Sequence, residues 1–211
     1  HVALPGHAGR ILDGRRPRVP ARARPNWRAR GARLRREHDA PPPGQDDVKS
    51  PYGVIVAAAR AVGENALVTT DVGQGQMRGA QVWPGRRPGR FLTSGGLGTM
   101  GFGLPAAIGA ALAEPGTPVV AVVGDGGLLM NLQELATLAE LRLPVKVLLS
   151  DNGCLGLVRQ QQQLFYEGRY IASRFDVNPD LPAIARGFGI RGYALAEASD
   201  LYVFCDGPKE H

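Results

Sequence analysis

The turn Gly124-Asp125-Gly126-Gly127 constrains this chain more than any other segment. The apolar run Pro118–Val123 ends in it, and an amphipathic stretch from Leu128 to Leu141 follows. A second apolar run, Val145–Leu149, ends in Ser150-Asp151-Asn152-Gly153. Period and length make this strand, turn, helix, strand, turn, which puts both turns at the same carboxyl edge of a parallel sheet. Open α/β sheets hold their small-molecule sites at that edge. Asp125 and Asn152, 27 positions apart, are then side by side as two hard oxygen ligands. The flanking glycines leave backbone N–H groups and the helix start at Leu128 open to an anion. Two oxygen ligands beside a phosphate-sized anion hole suit Mg2+ held against a diphosphate.

The same alternation runs through the middle of the chain. Tyr52–Val62 has helical spacing, Ala66–Asp71 reads as a first strand, and Val72–Met77 as a glycine-punctuated turn at its carboxyl end. After a loop from Trp83 to Arg90, Phe91–Thr93 is a short extended piece, and Thr99–Ala113 is a buried helix. Strand Val119–Val123, helix Asn131–Leu141, strand Val145–Leu149 and a Gln-rich helix Gly156–Phe165 follow. Leu181–Phe188 is a last helix and Ile190–Leu195 a final strand. This order predicts an α/β fold, a doubly wound parallel sheet with helices on both faces.

Composition divides the chain in two. Residues 1–44 hold 11 Arg against Asp13, Glu37 and Asp39, a balance of +8, so the remaining residues carry −2 of the overall +6. Seven of the 17 prolines also lie there. Such a segment is expected to be a linker or disordered tail, because it buries too little apolar surface to fold alone. A nucleic-acid arm is the weaker reading, since Trp27 is its one aromatic. Residues 45–211 are the expected domain. Two cysteines, Cys154 and Cys205, no recognisable signal sequence and no apolar run near 18 residues point to a cytoplasmic protein without a membrane partner. A start at His1 rather than Met suggests a fragment and leaves an organellar address open.

Blander readings stand beside the chemical ones. Asp125 is an N-cap in the simplest view, Asn152 a turn residue, Cys154 an inert small residue and Met100 a core methionine. Gln74 and Gln76 are loop amides, and Gln160–Gln163 a polar helix face. Gly96-Leu97-Gly98-Thr99-Met100-Gly101 also spells a dinucleotide fingerprint with Asp125 as the ribose-binding acid. Against that, Asp125 lies between glycines and the segment before Gly96 is a weak strand.

Gly-Asp-Gly with an Asn 27 positions after the Asp resembles the cofactor motif of thiamine-diphosphate enzymes. Leu92–Ala107 (LTSGGLGTMGFGLPAA), Met130–Thr137 (MNLQELAT) and Leu155–Gln162 (LGLVRQQQ) are similar to the acetolactate synthase (acetohydroxyacid synthase) large subunit. The likeness runs from about Pro51 to Leu195, and Leu201–His211 falls outside it, as though the domain were truncated at its C-terminal end.

The resemblance implies thiamine diphosphate and Mg2+ as cofactors, with FAD in the full-length enzyme. It assigns the metal to Asp125, Asn152 and the main-chain carbonyl of Cys154. It sets Val72, Gly73, Gln74, Gly98, Gly126 and Gly127 against the cofactor, with Gly156, Leu157 and Val158 beyond them. Met100 becomes a wedge beneath the cofactor, and Gln161 stands in the second-substrate pocket. Two departures are visible: Gly75 replaces the His of Gly-Gln-His-Gln-Met, and Asp151 replaces the first of two asparagines.

The implied reaction condenses pyruvate with a second 2-keto acid, with loss of CO2, towards branched-chain amino acids. The activating Glu is implied in a pyrimidine-binding domain that this chain lacks, so no catalytic acid or base is named and the isolated fragment is expected to be inactive. A homo-oligomer and a regulatory small subunit are implied as partners. Another thiamine-diphosphate decarboxylase or carboligase, or an inactive remnant, are the alternatives.

Overall fold

The computed structural model describes residues 23–38, 41–84, 87–195 and 201–205. The chain divides into two units, residues 1–41 and 42–211. In the first unit the expected disorder gives way over Ala23–His38 to a helix, α1. Arg, Ala and Leu are strong helix formers, and Arg33 faces Glu37 one turn on at 3.6 Å. The Arg30 guanidinium lies 5.6 Å from the Trp27 ring centroid, and Trp27 remains exposed. Every α1 side chain whose exposure is described faces solvent, so α1 is a helix by local propensity rather than by packing.

In the second unit, α2 (Pro51–Val62) opens with Ser50 Oγ accepting from the Gly53 N–H at 3.0 Å. Then come β1 (Leu67–Thr70), α3 (Gln74–Val82), β2 (Phe91–Thr93), α4 (Gly103–Ala113) and β3 (Val119–Gly124). They are followed by α5 (Asp125–Met130), α6 (Glu134–Glu140), β4 (Val145–Ser150), α7 (Gly156–Phe165), α8 (Leu181–Gly187), β5 (Arg191–Ala194) and β6 (Leu201–Cys205). The sheet runs β2-β1-β3-β4-β6-β5.

Its first four strands are parallel, as the alternating sequence requires. Val119, Ala121, Val123, Val147 and Leu149 point into one apolar layer with Leu104, Leu128 and Leu135. Val120, Val122 and Leu148 point into the other, with Val54, Ile55 and Trp83. Both faces of the sheet are covered, so its central strands read as unbroken apolar runs instead of alternating ones.

The far edge departs from the expectation. The expected last strand forms over Arg191–Ala194, but it pairs with β6 and not with the parallel set. Leu201–Cys205, read as lying outside the family likeness, is that β6, antiparallel to β4. Three helix boundaries differ too. Val72–Met77, expected as a turn, gives its last four residues to α3. Of the two glycines that signalled a turn, Gly73 holds φ +129 just before α3 and Gly75 lies inside it, while Gly79 further along packs closely on the sheet, a Cβ there meeting Thr70 Cγ2 at 3.3 Å. The helix expected from Thr99 starts at Gly103, because Gly101 has φ +82. The stretch Leu128–Leu141 is two short helices, the first beginning at Asp125 itself. Among the described residues no helix is long and apolar enough to cross a membrane.

Leu149 is completely buried between the sheet and the helix layer that holds Leu104 and Leu135. Leu149→Ala should therefore cost about 2–5 kcal/mol of unfolding free energy, read as a lower urea midpoint at unchanged m-value.

Candidate functional site

Parallel register brings the carboxyl ends of β1, β3 and β4 to one edge, with Thr70 beside Val122 and Gly124 beside Ser150. The residues that follow these ends line a narrow cleft, open to solvent, of about 50 Å3. Of the residues expected at a cofactor, Val72, Gly73, Gln74, Asp125, Gly126, Gly127, Asn152, Cys154 and Gly156 line it. The cleft also includes Asp71, Gly75, Arg78, Gly124 and Ser150.

Asp125 is 2% exposed. Its Oδ1 accepts from the Gly126 N–H at 2.9 Å, while its Oδ2 is buried with no hydrogen-bond partner. The simple N-cap reading does not hold. The cap position belongs to Gly124, and the Asp125 side chain caps no later N–H of α5. Burial pushes the Asp125 carboxyl from 3.8 up to about 6; the Gly126 N–H opposes this and the charge of Asp151 adds to it. A buried carboxylate oxygen left without a donor is costly. A cation in the cleft would satisfy it, and hard oxygen donors suit Mg2+.

Asn152 Oδ1 accepts from the Cys154 N–H at 3.1 Å and from Cys154 Sγ at 3.2 Å. Cys154 forms an antiparallel bridge with Arg174, held by Phe175 N–H to Gly153 O at 2.9 Å and Leu155 N–H to Ser173 O at 2.8 Å. In such a pair the central residue turns its own N–H and C=O away from the partner. The Cys154 carbonyl is thus not used by the bridge, and the residue lines the cleft. The Cys154 thiol is raised by burial and then by Asp125, with Arg159 and Arg174 opposing. Asp151 turns to the neighbouring loop, where its Oδ1 accepts from Asn178 Nδ2 and from the Gly153 N–H.

The glycines make room by necessity. A Cβ on Gly126 would stand 2.8 Å from Leu155 Cδ2, and one on Gly127 would stand 2.6 Å from Asp71 Cγ. On Gly156 it would lie 2.7 Å from Gln74 Oε1 and 2.8 Å from Asn152 Nδ2. Gln74 Nε2 donates to Gln160 Oε1 at 3.1 Å, tying α3 to α7. Arg78 donates to Gln74 Oε1 at 3.3 Å and is the one cation among the described lining residues, against the carboxylates of Asp71 and Asp125.

Other expected residues lie off the cleft wall. Met100 reaches over Gly126, its Cε 3.8 Å from where a Cβ would stand. Gly98 sits at φ +64 in an exposed loop, beside Leu97, which is 94% exposed. Leu157 and Val158 occupy the first turn of α7, and Gln161 is exposed on that helix. The Gln of that run that meets the cleft residues is Gln160. Sequence reasoning missed Asp71, read only as the end of a strand. Its Oδ1 accepts from the Val72 N–H at 2.8 Å and the Gly101 N–H at 2.9 Å, and its Oδ2 from the Gly103 N–H at 3.0 Å. An acid closing an apolar strand, with glycines following at the next strand end, was the available signal.

The state of Asp125 gives a pH prediction for the protein free of divalent cations. Its folded value lies above its unfolded one, so the folded state holds the proton more tightly. Well below pH 4 the group is neutral in both states and makes no difference. As pH rises from about 4 to 6 the unfolded state is favoured, and above that the penalty is constant. Asp125→Asn should raise neutral-pH stability by about 1–3 kcal/mol and flatten the decline between pH 4 and 6. Thermal melts in chelator across that range check this.

Comparison with known proteins agrees with the geometry. The family model of the thiamine pyrophosphate enzyme, C-terminal TPP binding domain, matches residues 71–202. The isozyme 1 acetolactate synthase large subunit of Escherichia coli (strain K12) is 48% identical over 200 residues, 95% of this chain and 36% of that protein. Isozyme 2 of the same organism is 42% identical over 220 residues, 99% of this chain and 38% of that protein. The large subunit from Lactococcus lactis subsp. lactis (strain IL1403) is 50% identical over 131 residues, 62% of this chain and 23% of that protein. This chain spans little more than a third of the length of the first two. With the family model covering well over half of its residues, the chain belongs to the thiamine pyrophosphate enzymes, as their C-terminal TPP-binding domain.

Proposed function

We propose that this chain is the metal–diphosphate clamp of an acetolactate synthase large subunit. The whole enzyme is then a thiamine-diphosphate-dependent transferase that joins pyruvate to a second 2-keto acid with loss of CO2. It would serve branched-chain amino acid synthesis. The observation that carries the clamp is the unpartnered Asp125 Oδ2, buried in a cleft where Gly126, Gly127 and Gly156 leave no space for a Cβ. The relatives named acetolactate synthase support the reaction, and their description as large subunits supports a companion subunit.

Asp125, Asn152 and the Cys154 carbonyl would hold Mg2+. Two carboxylates against one Arg make the bare cleft a poor receptor for a diphosphate, so the cation is needed to reverse the local charge. Gly126 and Gly127 let the backbone approach the phosphates, as glycines do at other phosphate sites. When bound, thiamine diphosphate supplies the acidic ring carbon on which decarboxylation and carbon–carbon bond formation depend. The side chains described here bind and orient; they move no proton in that chemistry.

Calorimetry with the 211-residue chain should show thiamine diphosphate binding that requires Mg2+. Asp125→Ala should weaken it at least about 100-fold, the scale expected when one of few metal ligands is lost. Unchanged affinity in that variant rejects the clamp.

The reaction is tested in a chimera, with this chain replacing the matched part of the E. coli isozyme 1 large subunit. Acetolactate should form from pyruvate in the chimera and not in its Asp125→Ala form. The 211-residue chain alone should give none. A chimera that binds the cofactor yet yields a different product from pyruvate points to another carboligase.

A further inference from the structure

We propose that Asp71 is a positioning residue, which sets the Met100–Gly103 loop over the cofactor cleft and thereby governs recognition of the part of the cofactor beyond its diphosphate. The proposal rests on the reading of the cleft as a thiamine-diphosphate site. Asp71 is 3% exposed and stands directly after β1. Its two oxygens take the N–H groups of Gly101 and Gly103 at 2.9 and 3.0 Å, so one rigid carboxylate fixes both ends of a three-residue turn. The turn is also held from other sides. Thr69 Oγ1 donates to the Gly103 carbonyl at 2.8 Å, and Asn131 Nδ2 donates to the Gly101 carbonyl at 2.7 Å.

Gly101 has φ +82, and a Cβ there would meet Asn131 Nδ2 at 2.7 Å, so the turn is bound in a conformation reserved for glycine. Met100 immediately precedes it and reaches to Gly126. The Asp71 carboxylate also packs against Gly127, where an added Cβ would lie 2.6 Å from its Cγ. One buried carboxylate therefore spaces the Met100 loop against the first turn of α5, where Asp125 waits for the metal.

A plain helix cap for α4 would also explain the Gly103 bond, so the test has to separate the two roles. The 211-residue chain is titrated in Mg2+ with two probes, thiamine diphosphate and inorganic pyrophosphate, the second reporting only the diphosphate end. In Asp71→Asn the amide accepts from one glycine N–H and turns its own N–H groups toward the other. Positioning predicts thiamine diphosphate weakened about tenfold with pyrophosphate held within about twofold.

Met100→Ala should lose a similar share, and the double variant should lose little more than either alone, because both act on one contact. Asn131→Ala loosens the turn from its other anchor and repeats the result should Asp71→Asn not fold. Equal weakening of both probes, or additive losses in the double variant, overturns the proposal. Wild-type protein that binds neither probe refutes the cleft reading itself, and the proposal with it, before any substitution is compared.

Discussion

A carboxylate taken out of water must find a donor for each oxygen or a cation beside it, and two aspartates at this sheet edge meet that demand in different ways. Asp71 is saturated by three backbone N–H groups. Asp125 has one N–H on Oδ1 and nothing on Oδ2. The first arrangement is complete and holds backbone in place. The second leaves one buried oxygen without a donor. The two are close, since the Asp71 carboxylate packs on the same glycine-rich turn that carries Asp125.

That turn can exist only because three layers meet there without side chains. Gly103 has the Asp71 N–H and Val123 Cγ1 within 2.9 Å of where a Cβ would stand, and Gly126 is pressed by Leu155 and Met100. These approaches bring α4, α5 and the loop before α7 into contact above the strand ends. The sheet beneath is covered on both faces, so its strands cannot slide without exposing one apolar layer. Rigid strands and a permissive turn make a site whose walls are fixed and whose floor is backbone.

Charge completes the design. Burial raises Asp125 toward the neutral form while Asp151 pushes the same way. The proposed Mg2+ would offset both effects, since a nearby cation favours the charged carboxylate. In many proteins buried carboxylates are hydrogen-bonded until they are inert; leaving one oxygen open keeps part of the folding energy available for binding.

By itself the sequence determined the parallel order of strands, the placing of Asp125 and Asn152 at one edge, and the glycines between them. Those are consequences of period, run length and turn chemistry, all local in the chain. It did not show that Val72–Met77 runs into a helix, because Gly73, which supplies the positive φ before α3, and Gly75, which lies inside α3, read alike in the sequence. Nor did it show the antiparallel edge at Leu201–Cys205, whose pairing with β4 spans some fifty positions. The role of Asp71 stayed hidden for the same reason, although its place at a strand end was visible. Its partners Gly101 and Gly103 are 30 and 32 residues away, and only the tertiary fold brings an acid at one strand end to the amides of a turn after another. That Gln160 is the one to meet Gln74 likewise depends on how α7 rotates against α3, which no run of four glutamines can encode.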